Sequence, residues 1–514
     1  MISTLSLIVG ILVAAPWSIT AQEYPVIGVR SGINMRTGEM PIRRNINNIY
    51  GEAGPQWDLY VGALAAMQNA NETDPTSFFQ VAGIHGQPYM AWAGGGPQTG
   101  ADAGYCPHNQ VLVRYAKRIA TSYPEPHKRS YVEAAESLRV AYWDWAADSQ
   151  VPPMTALPTL VIKKPVGGAL QSVAVRNPFY RYNYPKMALD GSFGSFDGHN
   201  YTKRCVGDGE SYPDTANAKL TGYNLKEKVY NVFVKATSFD EMVTAQNEGA
   251  NFEGPHGEVH VGAACGQDLL HLSTSAFEPL FWLHHANVDR LIAFWQALHF
   301  ENATMHFSYA SSQMFATPSG TTVTPQYPLW PFVGTGGGPL TSESVTHVRD
   351  WGYTYAPMRF WDQTPGDIKM AVSRTVNSLY GPQEQQSSSM RTMRRKMAPR
   401  REYVAKVEVE RSELELPCQV QLFLKGSMAG SFTLLDMPRQ GQSYDEIPLT
   451  RGIEAAGLRD LSLDGTTTPL DSVPSLKIEV EDQEIVPSDT VDQLPTLGTT
   501  RSRPAMLRPL SVDY

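Results

Sequence analysis

Cysteine is scarce. Four in 514 residues are too few for a disulfide scaffold, so the fold has to rest on buried apolar surface. Net positive charge is lacking as well. A formal charge of −9 offers nothing to nucleic acid or to an anionic membrane surface. No internal repeat appears. The two Glu-x-x-His pairs of a carboxylate-bridged di-iron bundle are not there either, which argues against that chemistry. What is present is an ordinary globular composition, 42% hydrophobic and 18% charged. The length exceeds what one core usually organises, so two domains are expected.

Residues 1–21 form an apolar run ending in small residues. The run is short for a membrane span, carries no Lys or Arg, and reads as a secretory signal peptide cleaved after Ala21. The mature protein is then expected to be secreted and free of the membrane. Sequons at Asn71, Asn200 and Asn302 agree with N-glycosylation.

From residue 22 to about 382 the chain mixes helical patterns with long Gly/Pro/aromatic loops. Helical spacing covers 55–70, 128–148 and 275–300, the last apolar nearly all round and therefore expected at the centre of the fold. Residues 383–401 are polar and then basic, an exposed linker with dibasic processing candidates at Arg395 and Arg401. Beyond it, 404–410, 418–424 and 476–481 alternate apolar and polar residues, predicting a small β-sandwich over 402–514. The tail from about 484, rich in Pro, Thr and Ser, is expected to be disordered.

The histidines carry the chemistry. His256 and His260 in "EGPHGEVHVG" stand four apart, one face of a helix, so both imidazoles reach one metal ion. In "FEPLFWLHHANVDR", His284 and His285 lie in an aromatic helix, where ring nitrogens need partners. One of the two completes a three-histidine site, and Asp289, one turn on, anchors nearby backbone. Three neutral imidazoles suit Cu, Zn, Fe or Ni. A second group holds His85 in "AGIHGQPY" and Cys106 and His108 in "GYCPHNQ".

Together with "YPVIGV", "AYWDWA" and the Tyr-x-Tyr of "WGYTYAP", these stretches resemble the fungal tyrosinases, type-3 copper proteins related to catechol oxidases and haemocyanins. The resemblance implies a mainly α fold: a four-helix-bundle copper core with long loops, then a β-rich domain that shields the site until proteolysis. It implies two coppers, O2 and a small phenolic substrate oxidised to an o-quinone, in melanin or secondary-metabolite formation. The second copper would be held by His256, His260 and His285, with His284 as a packing neighbour and Glu253 holding a water. The first would be held by His85 and His108, with a thioether from Cys106 to His108. Gly257 after the first histidine of the second site leans towards catechol oxidation, and Leu272 falls near that copper.

One expected element is missing. The family's third first-site histidine lies in a Trp-His-Arg-Pro stretch, and here the chain passes from Gln110 straight to Val111. Either a mis-spliced or misread copy has lost a short segment, or the product is impaired or serves as a haemocyanin-like copper/O2-binding protein. A protein loaded with a single metal or with zinc is a further reading. His127 is the nearest substitute histidine.

Overall fold

The computed structural model describes residues 24–96, 110–193, 196, 200–311, 314–382, 401–402, 404–424, 426–455, 474–480, 483–486, 498–501 and 505–506, with backbone alone at 401–402 and from 474 onward. The expected leader, Cys106, His108 and Arg395 lie outside these residues.

The N-terminal part is helical. Its first helices are α1 (Ile46–Glu52), α2 (Pro55–Gln68), α3 (Phe78–Gly83), α4 (Gln110–Ala120) and α5 (Lys128–Ser137). After a hairpin of strands Thr159–Val166 and Ala169–Arg176 come α6 (Lys186–Leu189), α7 (Asp214–Gly222), α8 (Leu225–Lys235) and α9 (Phe239–Val243). Then follow α10 (Glu253–Gly262), α11 (Pro279–Leu298) and α12 (Pro365–Leu379). Local chemistry starts several of these. Ser77 caps α3 by accepting the Gln80 N–H, and Thr364 and Asp367 form a capping box on α12. At α11, Pro279 occupies the first turn and the Glu278 carboxylate accepts the Leu280 N–H at 3.0 Å.

α11 is central, as its pattern implies: 15 of its 20 residues are buried. Several polar residues on it or at its start are matched to distant segments. Asp289 accepts from Tyr353 Oη (3.0 Å), Tyr355 Oη and Arg43 (3.1 Å), so the Tyr-x-Tyr pair clamps the turn after His285. Arg290 donates to Asp144 (2.9 Å), whose other oxygen accepts from Tyr380 Oη (2.9 Å). Glu278 forms a buried ion pair with Arg204. Cys205, next to that arginine, is disulfide-bonded to Cys265, 60 residues on.

The helix expected over 128–148 is shorter: α5 stops at Ser137 and Leu138 is extended. Tertiary partners claim the backbone beyond it. The Tyr142 N–H goes to Arg44 O and the Trp143 N–H to Leu283 O, both at 3.0 Å. Thus "AYWDWA" seats α11 instead of continuing a helix.

The C-terminal part is a two-sheet β-sandwich. One sheet orders Ser427–Leu434, Cys418–Leu424, Pro474–Val480 and Gln483–Val486; the other orders Gln442–Pro448, Val404–Glu410 and Gly498–Arg501, all antiparallel. Alternation sends Val407, Val409, Val420, Leu422, Phe432 and Ile447 into a shared core, which Ala245 of the helical part joins. A short α13 (Thr450–Ala455) follows the Gln442–Pro448 strand. Two expectations change here. The tail beyond 484 supplies strands Gly498–Arg501 and Ala505–Met506, because unpaired edges of earlier strands offer ladder partners. Arg401 belongs to the strand that pairs with Ala505–Met506, not to the linker.

Candidate metal centre

α10 begins at Glu253, two residues ahead of Pro255, and presents His256 and His260 on one face. The middle of α11 brings His285 against them. The Nε2 atoms of His256 and His285 each stand 3.1 Å from His260 Nε2. Two nitrogens bound to one ion at about 2.0 Å and at a tetrahedral angle are roughly 3.3 Å apart, so the trio fits a single metal ion. The tautomer is set as well. His260 Nδ1 lies 2.6 Å from Leu269 O and donates to it, which leaves a lone pair on Nε2 facing the other two rings. A buried apolar shell closes the site: Phe281 stacks on His285 with ring centres 4.0 Å apart.

His284 is fully buried and stacks on His256 at 5.2 Å. Both of its ring nitrogens lack a hydrogen-bond partner, and it lies close enough to the trio to count among the possible donors. Glu253 Oε1 is 3.5 Å from His256 Nδ1. Burial acts to raise the Glu253 pKa, but His256 and Arg411 outweigh it, so the carboxylate is held below its usual range. That favours the ionised, proton-accepting form.

His85 stands apart from the trio, with Phe281 between: the two rings meet edge to face at 4.9 Å. Its Nδ1 donates to Leu272 O at 3.0 Å, leaving Nε2 as a free lone pair. Among the described residues no further histidine joins it, and His127 is exposed at the start of α5. Nearby, an apolar cavity of about 30 Å³ opens at the first turn of α4, lined among others by Leu64, Phe78, Val81, Val111, Trp282 and Leu283. The three sequon asparagines, Asn71, Asn200 and Asn302, are all exposed.

The sandwich lies directly over α10. A Cβ on Gly257 would stand 3.1 Å from Thr433 Cβ, so a larger residue there would press against the Ser427–Leu434 strand. Glu258, on the opposite side of α10 from the site histidines' convergence, pairs with Lys228 at 2.5 Å and accepts from Ser431 Oγ. Burial pushes Glu258 up to about 7 against the pull of Lys228, and Asp445 beside them up to about 6. Sequence reasoning missed this cluster: Glu258 reads as a helix-surface residue, and Lys228 and Ser431 are 30 and 173 residues away.

The site's electrostatics predict an acid sensitivity for the metal-free chain. Burial, with a smaller push from His256, lowers His85 to about 4 against its bond to Leu272; burial and neighbouring imidazoles hold His260, His284 and His285 well below the ordinary value. In the unfolded chain these rings take up protons below about pH 6.5. The unfolded state then binds more protons than the folded one, and stability falls as pH drops from there towards 4. Calorimetry of metal-free protein across that window is expected to show a falling midpoint, less steep in His85→Asn; equal slopes would count against it.

The comparisons with known proteins agree with this geometry. A family model described as the common central domain of tyrosinase matches residues 75–298. The tyrosinase of Podospora anserina is 29% identical over 392 residues, 67% of this chain and 67% of its own length. Polyphenol oxidase 4 of Agaricus bisporus is 30% identical over 356 residues, 63% of this chain and 57% of its own length. The match therefore spans a little over half to about two thirds of these relatives. The structure of recombinant mushroom tyrosinase aligns with a TM-score of 0.75 over 93% of this chain and 94% of that one, at 23% identity, a likeness of fold. The stretch matched by the family model carries α3, α10 and α11 with His85 and the histidine trio, so residues 75–298 of this chain are similar to the common central domain of tyrosinase.

Proposed function

We propose that the chain oxidises phenols or catechols to o-quinones with O2, using copper. The observation that carries this reading is the convergence of three imidazole nitrogens, with His260 buried and its tautomer fixed by Leu269 O, inside the stretch that matches the tyrosinase central domain. His256, His260 and His285 hold the second-site copper; His85 and His108 contribute to the first. Bound copper supplies the electron exchange with O2 that phenol oxidation requires.

The chain's own residues do the rest. Glu253, ionised beside His256, takes the proton of an incoming phenol hydroxyl, directly or through a water. Phe281 keeps an apolar wall between His85 and His285 and excludes solvent. The sandwich, resting on Gly257 through Thr433, restricts access until the chain is cut in the basic segment near Arg395. The protein is secreted, N-glycosylated at Asn71, Asn200 and Asn302, and carries a Cys106–His108 thioether. Asn71 already shows the local turn of an accessible sequon, with its side chain accepting the Thr73 N–H at 2.9 Å. Glycosidase treatment of secreted protein is expected to lower its mass; an unchanged mass in all three sequon peptides would refute the modification.

The missing third histidine keeps a second reading in play, a copper- or O2-binding protein without turnover. Copper counting with a catechol assay on the full chain separates the two. Two coppers and o-quinone formation support the oxidase. One copper and no quinone support the binding protein, and sequencing the mature transcript across the codons for Gln110 and Val111 then shows whether a segment is lost.

A further inference from the structure

The seat of His85 is built from two parts of the chain that are far apart in sequence. One is the loop between α10 and α11. Leu272 O accepts from His85 Nδ1 at 3.0 Å, Ser275 Oγ stands 3.2 Å from the same nitrogen, and the Gln87 N–H donates to Ser273 O at 3.0 Å. Gly86 is what lets the loop come this close. A Cβ there would lie 2.4 Å from Leu272 O and 2.6 Å from Ser273 O, distances no side chain tolerates.

The second part belongs to the sandwich. The Leu272 N–H donates to the Asp436 carboxylate at 3.1 Å. Asp436 sits in the turn after the Ser427–Leu434 strand, and that turn is itself held. Arg411, 4% exposed, donates to Leu435 O and Pro438 O on either side of Asp436 and to Ser443 Oγ at 3.3 Å. Leu272 is therefore gripped on its N–H by the sandwich while its carbonyl grips the imidazole. A carboxylate acceptor makes the stronger, charge-assisted kind of bond, and a buried guanidinium bonded to two carbonyls keeps the turn in place.

We propose that Asp436 is a positioning residue for His85: the sandwich holds the first-site ligand in its Nδ1–H tautomer and orientation, in addition to covering the centre. That His85 receives copper rests on the function proposed above; that Asp436 sets its tautomer does not. Separation of the sandwich from the helical part then releases Leu272 and loosens His85. Cutting the linker consequently acts on the ligand geometry as well as on access.

The test uses the full chain with 15N-labelled histidine and three variants. Asp436→Ala removes the acceptor, Asp436→Asn keeps an oxygen that can accept the Leu272 N–H, and Lys235→Ala breaks a different contact with the sandwich, the 2.8 Å pair to Glu446. In metal-free parent protein His85 is expected as a single Nδ1–H tautomer. Asp436→Ala is expected to mix the two tautomers and to weaken the copper that His85→Ala also removes, by about 10- to 100-fold, the usual effect of losing an outer-shell partner. Copper held by the α10–α11 trio should be unchanged, and Asp436→Asn should restore most of the parental behaviour. An unmixed tautomer in Asp436→Ala overturns the proposal, as does an equal effect in Lys235→Ala, which would mean general loosening. If His85→Ala costs no copper, the metal assignment fails while the tautomer still decides the role of Asp436.

Discussion

On the function proposed above, His260→Ala is expected to lose one copper ion per chain and to lower catechol oxidation by more than the roughly 10- to 100-fold typical of outer-shell changes. The reason is geometric. His260 is the only member of the trio whose Nε2 lies 3.1 Å from both others. Its loss leaves two rings without a common apex. The comparison that matters is between His284 and His285. His285→Ala should lose the same copper, whereas His284→Phe, which keeps the stack on His256, should retain it. Metal analysis with oxidase rates on the four proteins checks this. Retention of copper by His285→Ala with loss in His284→Phe would reverse the assignment, a real contest because both His284 nitrogens are buried without partners.

The second large effect is on stability. Arg204→Met strips the partner from Glu278, whose carboxylate is wholly buried and caps α11. Removing one member of a buried pair costs about 3–5 kcal/mol, since the remaining charge stays uncompensated. Replacing both, as in Arg204→Met with Glu278→Leu, should recover part of that loss but not the cap on the Leu280 N–H. Chemical denaturation of the metal-free proteins measures both. A single variant less than about 1 kcal/mol below the parent would show that the pair is solvated or replaceable. Because the trio's third ring rides on α11, second-site copper affinity should weaken alongside.

Much of this was legible from local pattern. The strands Val404–Glu410 and Cys418–Leu424 coincide with the alternating stretches that announce them, since period-2 alternation is what one buried sheet face demands. The His-x-x-x-His spacing puts two ligands on one helical face for an equally local reason. Other features were not legible. Nothing in "VAYWDW" says that its backbone will bond to Leu283 and Arg44 instead of closing helical turns. The Thr/Pro-rich tail looked free until earlier strands offered it unpaired edges. The residue types at Asp436 and Glu258 are ordinary for a turn and a helix surface. Their roles exist only because the sandwich settles on α10 and on the loop before α11.

By itself the sequence determined the chemistry available: which histidines lie a helical turn apart, which helix is apolar enough to be central, and that no Trp-His-Arg-Pro stretch is written in it. Those are properties of spacing and composition within a few residues. The tertiary structure decided which nitrogens meet, which tautomer His260 and His85 adopt, and which distant carboxylate steadies the loop behind His85. Such choices depend on contacts across 187 residues for His85 and Leu272 and 164 for Leu272 and Asp436. Burial is what enforces them, because a polar group taken out of water must find its partner wherever the fold has placed one.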